Sequence, residues 1–368
     1  MPTDRRGAMR ANYAALMAAC GLLAACPAVP VQETQGITEL PIFAIQELGL
    51  LAGGSVSQAM AINGSGQAVG YAIDAGAVRH AVYFQGGAAV QLPEPANTTR
   101  SDAYGINDDG VIVGSVRISG VELPARWDTP ASQPVLLTLP AGATTGRARS
   151  INSDGLIVGF ATGDELPVIW QTDGSGDYVD ATIADSHEPS QINDEGDFVG
   201  NAEDIEAGFV WSEDDGFVFV GSLSGEEDDQ ESEARGLNNN GVVVGNSDNA
   251  DGQTRAFRWT EARNMVELGA PPGGDDGVVA TAINDDNLVA GFGFTGTVDA
   301  ITTSQPAVTI ATETSQAFSP LATLGGDRAE PSNGASINRC GVIVGFAFPT
   351  GSTNRRAVAW VPTGCSVQ

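Results

Sequence analysis

The chain has 368 residues, 42% hydrophobic and 47 of them glycine, which is too long for one minimal domain and too apolar and turn-rich for a disordered chain. Its 46 acidic residues face 17 basic ones, all of them arginine, for a formal charge of -29. That balance excludes nucleic-acid binding by phosphate neutralisation and leaves either a solvated acidic surface or one that attracts cations.

Taken in chain order, the first element is an address. Arg5, Arg6 and Arg10 precede an apolar stretch from Ala11 to Ala25 that is too short to cross a bilayer, the pattern of a secretory signal. It ends in Leu23-Ala24-Ala25-Cys26, which resembles the lipobox of bacterial lipoproteins; Leu16-Met17-Ala18-Ala19-Cys20 is a poorer match, with its cysteine inside the apolar core. The resemblance implies cleavage before Cys26 and lipid attachment to its thiol. Residues 1–25 are then a signal, 26–40 a Pro-containing tether and 41–368 the folded body. No later segment reaches the length of a spanning helix, so the expected mature protein is held to a bacterial membrane by lipid alone, facing the periplasm or the exterior.

Cysteine parity points the same way. Removing the signal leaves Cys26, Cys340 and Cys365, and lipidation of the first leaves an even pair for a disulfide in an exported chain. Cys340 falls in the first turn of the last repeat and Cys365 in its third, which share one side of an antiparallel unit. Ideal turn tips two strands apart stand about 9 to 10 Å from each other, so the bond requires the two loops to lean together.

The body is one unit written seven times. Ala61-Ile62-Asn63-Gly64-Ser65-Gly66-Gln67-Ala68-Val69-Gly70 recurs as Gly105-Ile106-Asn107-Asp108-Asp109-Gly110-Val111-Ile112-Val113-Gly114, and five further copies centre on Asn152, Asn193, Asn238, Asn284 and Asn338. Asn-x-x-Gly suits a type I turn with its glycine in the left-handed bulge position, and the one exception, Asn287, is the next residue best suited to positive φ. A second apolar run ending in an aromatic follows most turns, as in Val168-Ile169-Trp170 and Ala357-Val358-Ala359-Trp360. A third run closes most units, as in Met265-Val266-Glu267-Leu268.

Four short strands per unit of about 45 residues, repeated seven times, predict an all-β fold: a seven-bladed β-propeller of four-stranded repeats. A β-solenoid is the competing architecture. The last unit lacks its fourth strand after Trp360, whereas the run from Ile42 to Leu48 precedes the first turn as a spare one, so closure by the N-terminal strand is expected. The Ile-Asn-x-x-Gly-x-Val-Val-Gly core, His80-Ala81-Val82 and Leu321-Ala322-Thr323-Leu324-Gly325-Gly326 resemble the bacterial extracellular HAF-repeat family over nearly the whole mature chain. That resemblance implies export and a repeat-built β body and carries over no reaction.

Chemistry is sparse. His80 lies in a repeated strand and His187 in a loop, both read as structural or surface residues, and no nucleophile elbow, zinc motif, phosphate loop or Cys-x-x-Cys pair occurs. Calcium is the one cofactor to weigh, at Asp173 to Asp177, Asp248 to Gly252 and Glu226 to Asp229; none completes an EF-hand loop. Two function classes remain: a non-catalytic binding or scaffold module for a protein or glycan, which is preferred, and a secreted carbohydrate-active enzyme, a lyase or glycoside hydrolase. Non-repeating polar residues converging on one mouth of the central channel would mark a site. Because the Asn turns are short and uniform, ligand contact is expected on the opposite face, where connections vary, with Glu226, Glu227, Asp228 and Asp229 forming a negative patch for a cationic or calcium-bridged partner. The stretch from Gly293 to Pro306 reads as a long loop insertion on that face.

Overall fold

The computed structural model describes residues 40–162, 166–178, 187–202, 205–224, 231–271, 276–297, 300–310 and 318–368. Every element in them is a β-strand or a turn. Strands pair with their sequence neighbours, giving antiparallel four-stranded meanders such as Thr98–Ile106, Ile112–Ile118, Val121–Trp127 and Val135–Leu136. Five meanders stand alone. The sixth and seventh units merge into one eight-stranded sheet through a single parallel pair, Ser304 with Arg328.

Each meander begins with the Asn turn. In the second unit, Asn107 Oδ1 accepts the Val111 N–H at 3.0 Å, Gly110 N–H returns to the Asn107 carbonyl, and Gly110 takes φ +80°. The same position is left-handed in all seven turns, including Asn287 at φ 61°, so the exception in the sequence obeys the same backbone rule. Before each of the first six turns the inner strand carries a bulge, as between Ala103 and Gly105. It pushes the Asp102 carbonyl towards Gly114, where any Cβ would collide with it, which accounts for the glycine that closes the repeated motif.

The core lies between sheets. The cluster around Ala61, Val69, Tyr83 and Leu92 also contains Ala103, Ile112 and Trp127 of the next unit, and the cluster around Ala59, Ile62 and Phe84 contains Val342, Val344 and Ala357 of the last. Trp127, Trp170 and Trp360 are fully buried, and their indole N–H groups donate to carbonyls of the preceding inter-unit links, Pro93, Thr138 and Ala322, at 2.7–2.8 Å. In these three units the third-strand tryptophan therefore ties the link to the sheet it leads into.

At the ends of the body, Phe43–Gly49 pairs antiparallel with Arg356–Pro362, from Phe43 opposite Pro362 to Gly49 opposite Ala357. It occupies the fourth place of the last unit. Cys340 and Cys365 are joined, with Cα atoms 6.2 Å apart. The turn after Pro362, closed by the Cys365 N–H to the Pro362 carbonyl, brings the second cysteine back over the first turn. One sequence expectation is corrected: the stretch from Gly293 to Pro306 is not a loop but the outer half of a long hairpin, Leu288–Thr297 with Ala300–Ile310, paired from Leu288–Ile310 out to Thr297–Ala300.

Candidate functional site

The seven Asn turns are bonded to one another. Each asparagine uses Oδ1 for its own turn and Nδ2 for the backbone carbonyl of the asparagine in the next unit, at 2.9–3.4 Å, and Asn338 donates back to Asn63. The result is a closed cycle of seven buried amides. Neither half of the side chain is spare, which explains why no other residue type stands at these positions: Asp lacks the donor, Ser the reach, and Gln the turn geometry.

Inside this girdle lies a cavity of about 310 Å³. Its lower wall is mainly the residue before each asparagine, Ile62, Ile106, Ile151, Ile192, Leu237, Ile283 and Ile337, all buried, joined by Ser150, Gln191 and Ala335. Its rim is the residue after each asparagine: Gly64, Asp108, Ser153, Asp194, Asn239, Asp285 and Arg339. The wall repeats and the rim does not. Where the rim carries a carboxylate or amide, it accepts the backbone N–H of the preceding unit: Gly64 to Asp108, Ser153 to Asp194, Asp194 to Asn239 and Asn239 to Asp285, at 2.6–2.9 Å. Burial pushes the Asp194 carboxyl up, but bonds from Ser153 and Asn239 outweigh it and hold it below the usual carboxylate range. The cup thus joins a largely aliphatic floor to an exposed polar rim.

At the other end of the sheets, charged side chains from four successive units gather around Tyr104, which stands three residues before its asparagine at the bulge. Asp102 is buried between Arg79 and Arg100. Arg149 lies 5.2 Å above the Tyr104 ring and reaches Glu188 at 3.3 Å. Glu122 accepts from Arg147 Nε and Nη2, at 2.8 and 3.0 Å, and from Arg117 and Ser115. Burial raises the Glu122 carboxyl, but those hydrogen bonds prevail and hold it at about 2. Burial, reinforced by the Asp102 charge, pushes the Tyr104 phenol up against the opposing pull of Arg149, Arg147 and Arg79. Every carboxylate of this cluster is engaged by a guanidinium.

Of the residues singled out in the sequence, His80 is structural, bonded through Nδ1 to Glu94 at 2.9 Å and facing Asp74 at 3.4 Å. His187 is not in a loop but opens the strand His187–Ile192, opposite Ala202; its side chain, Glu226, Glu227, Asp228, Asp229 and Cys26 lie outside the described residues. In the two described calcium candidates, Asp173 accepts the Ser175 N–H, Asn249 accepts those of Asp251 and Gln253, and Asp248 accepts the Thr254 hydroxyl. Among the described residues no three His, Cys, Asp or Glu side chains converge as a metal set. The rim residues Asp194, Asn239, Asp285 and Arg339 went unread in the sequence; stacking the seven repeats on their asparagines and reading the next column would have found them.

No family model matches the chain, and no curated protein matches it in sequence. Solved structures do. A puromycin-hydrolyzing peptidase of Mycobacterium tuberculosis is similar at a TM-score of 0.58 and 14% identity, over 88% of this chain and 55% of that one. YCF48 bound to D1 peptide gives 0.54 and 10%, over 90% and 99%. Streptogramin B lyase gives 0.52 and 12%, over 87% and 98%. The fold is β-propeller-like. At these identities the likeness extends to the fold alone, and it joins enzymes and a peptide-bound protein alike.

Proposed function

We propose that this is an exported, non-catalytic binding module: a seven-bladed propeller, closed by the strand Phe43–Gly49 and held to a membrane through lipid on Cys26, whose ligand seats in the cup inside the Asn girdle, a reversal of the sequence expectation that placed ligand contact on the face opposite these turns. The observation that carries the reading is the cup itself, an apolar-floored cavity under a rim of non-repeating polar residues, which is the usual form of a small-ligand site. The hydrogen-bonded cycle from Asn63 through Asn338 supports a ring over a solenoid, since a solenoid leaves its end units apart. A binding role suits the charge chemistry better than acid–base catalysis. Glu122 at about 2 is no proton donor near neutral pH, and Asp102 is clamped between two arginines. The run Glu226 to Asp229 is proposed as a second, outlying contact for a cationic or calcium-bridged partner.

The reading is tested by screening small molecules, glycans and peptides against the soluble body, residues 41–368, with and without calcium. Any hit is then repeated on Asn239→Trp, which places an indole over the cup from an exposed position. Loss of binding in that variant is expected; undiminished binding would move the site elsewhere. Cys26→Ser in the full chain is expected to shift the protein from the membrane fraction to the soluble one.

A further inference from the structure

The cluster around Tyr104, at the end of the sheets opposite the Asn girdle, carries the reverse charge of the chain that holds it. Arg79, Arg100, Arg117, Arg147 and Arg149 belong to it, and Arg355 joins through Gln58 Oε1, which it reaches at 2.8 Å and which also accepts the hydroxyl of Tyr71, the ring beneath Arg79. Among the described residues these six guanidiniums meet three carboxylates, Asp102, Glu122 and Glu188, on a chain of net charge -29. The carboxylates are saturated and the guanidiniums are not. Arg149 holds Glu188 through Nη2 alone, at 3.3 Å, and its Nε is buried without a partner. Arg147 and Arg149 lie 5.5 and 5.9 Å from the centre of one ring, Phe160, so two like charges are held close together. An independent observation stands beside them. Tyr104 is only 9% exposed, yet its hydroxyl has no hydrogen-bond partner among the described residues, whereas a buried phenol ordinarily has one. Burial keeps that phenol protonated, so it offers a donor next to the surplus cations.

We infer that this end of the sheets carries a second binding site, for a small monocarboxylate whose carboxylate lies against the Arg147 and Arg149 guanidiniums and accepts the Tyr104 O–H. The site is separate from the cup and stands whether or not the cup holds a ligand. A guanidinium presents its N–H donors in a fixed fork that matches a carboxylate, and stacking on Tyr104 and Phe160 holds these forks in place beforehand. The charge of the whole chain selects the ligand further. At -29 it repels every additional negative charge, so a singly charged acid is favoured over sulfate, phosphate or a polyuronate charged on each ring. Tyr104 and Arg149 stand three residues before their asparagines, and Arg147 stands five before, in columns where the repeats differ: Met60 and Gln58 hold these places in the first unit.

The test is a melting-temperature titration of the 41–368 body with butyrate, butyramide, sulfate and trigalacturonate at constant ionic strength. Butyrate is expected to raise the melting temperature saturably and butyramide to leave it unchanged, with sulfate and trigalacturonate binding at least tenfold more weakly than butyrate. R149Q should weaken butyrate at least tenfold and Y104F several-fold, while R339Q, on the girdle face, should leave it as it is. Y104F removes a hydroxyl without a partner and keeps the fold, so it carries the test alone if R149Q does not fold. Butyrate acting no better than butyramide, or acting equally on the wild type, R149Q and Y104F, would overturn the inference. Sulfate binding as well as butyrate would overturn the carboxylate assignment, and trigalacturonate binding more tightly would overturn the small acid in favour of a glycan chain. Loss of the butyrate effect in Asn239→Trp would move the anion to the cup and overturn the second site.

Discussion

Single residues here do two tasks at once, and their chemistry can be separated by substitution. Asn152 caps its turn through Oδ1, accepting the Leu156 N–H at 2.9 Å, and joins its neighbour through Nδ2, donating to the Asn193 carbonyl at 3.1 Å. Asn152→Ala loses both in a buried site and is expected to cost about 3 kcal/mol in chemical unfolding. Asn152→Asp keeps the acceptor but turns an oxygen towards the Asn193 carbonyl, so its penalty should grow as pH rises through the carboxylate range, which urea melts at pH 4 and 7 would show. Glu122 makes the opposite pH argument. Its folded pKa of about 2 lies below the 4.5 of an ordinary glutamate, so its contribution is present above about pH 4.5 and is lost as pH falls towards 2. Wild-type stability should drop by about 2 kcal/mol across that window, and the same drop should be missing in Glu122→Gln.

At the scale of the element, the repeated turn is a backbone device. Gly110 sits at φ +80°, where a Cβ is strained, so Gly110→Ala should cost about 1 to 2 kcal/mol and Gly110→Asn less, because asparagine tolerates this region. The occurrence of Asn287 at φ 61° in the sixth copy is the natural version of that experiment. Here the sequence was fully legible: Asn-x-x-Gly between apolar runs dictates the turn through local sterics, with no help from the rest of the chain. The hairpin Leu288–Thr297 and Ala300–Ile310 was not legible, because Gly293, Gly296 and Pro306 read as loop punctuation. Pairing along its whole length, and Phe292 and Phe294 packing on Val279, outweigh those weak local signals.

For the whole molecule the decisive region is the seam between the last unit and the first. Three attachments meet there: the strand Phe43–Gly49 on Arg356–Pro362, the Cys340–Cys365 bond, and the tail beyond it, where Val367 packs on the first core cluster and the Gln368 N–H reaches the Gly66 carbonyl at 3.0 Å. Deleting residues 41–50 should expose the edge of Arg356–Pro362 and cause aggregation or a large fall in melting temperature. Deleting 28–38 should not, and equal melting of the two would argue against closure by that strand. Cys365→Ser opens a loop spanning 25 residues and should cost about 3 kcal/mol with the fold retained, as read by thermal melting against the oxidised wild type, and should melt like the reduced wild type.

The seven turns, the four-strand units, the spare strand before the first and the pairing of Cys340 with Cys365 are written in the sequence, because each follows from local sterics, short-range periodicity or parity. The cup is not. Its rim draws one residue from each of seven positions 41 to 54 residues apart, Gly64 to Arg339, and an Asp after an Asn reads in isolation as ordinary turn chemistry. The same holds for Tyr104, whose neighbours Arg79, Arg147 and Arg149 belong to other units. Only the girdle, which sets seven identical turns in a cycle, converts a column of unrelated residues into one surface. Repetition makes the scaffold readable, whereas the site lies in the positions where the repeats differ, and their meaning arises when the tertiary structure sets them side by side.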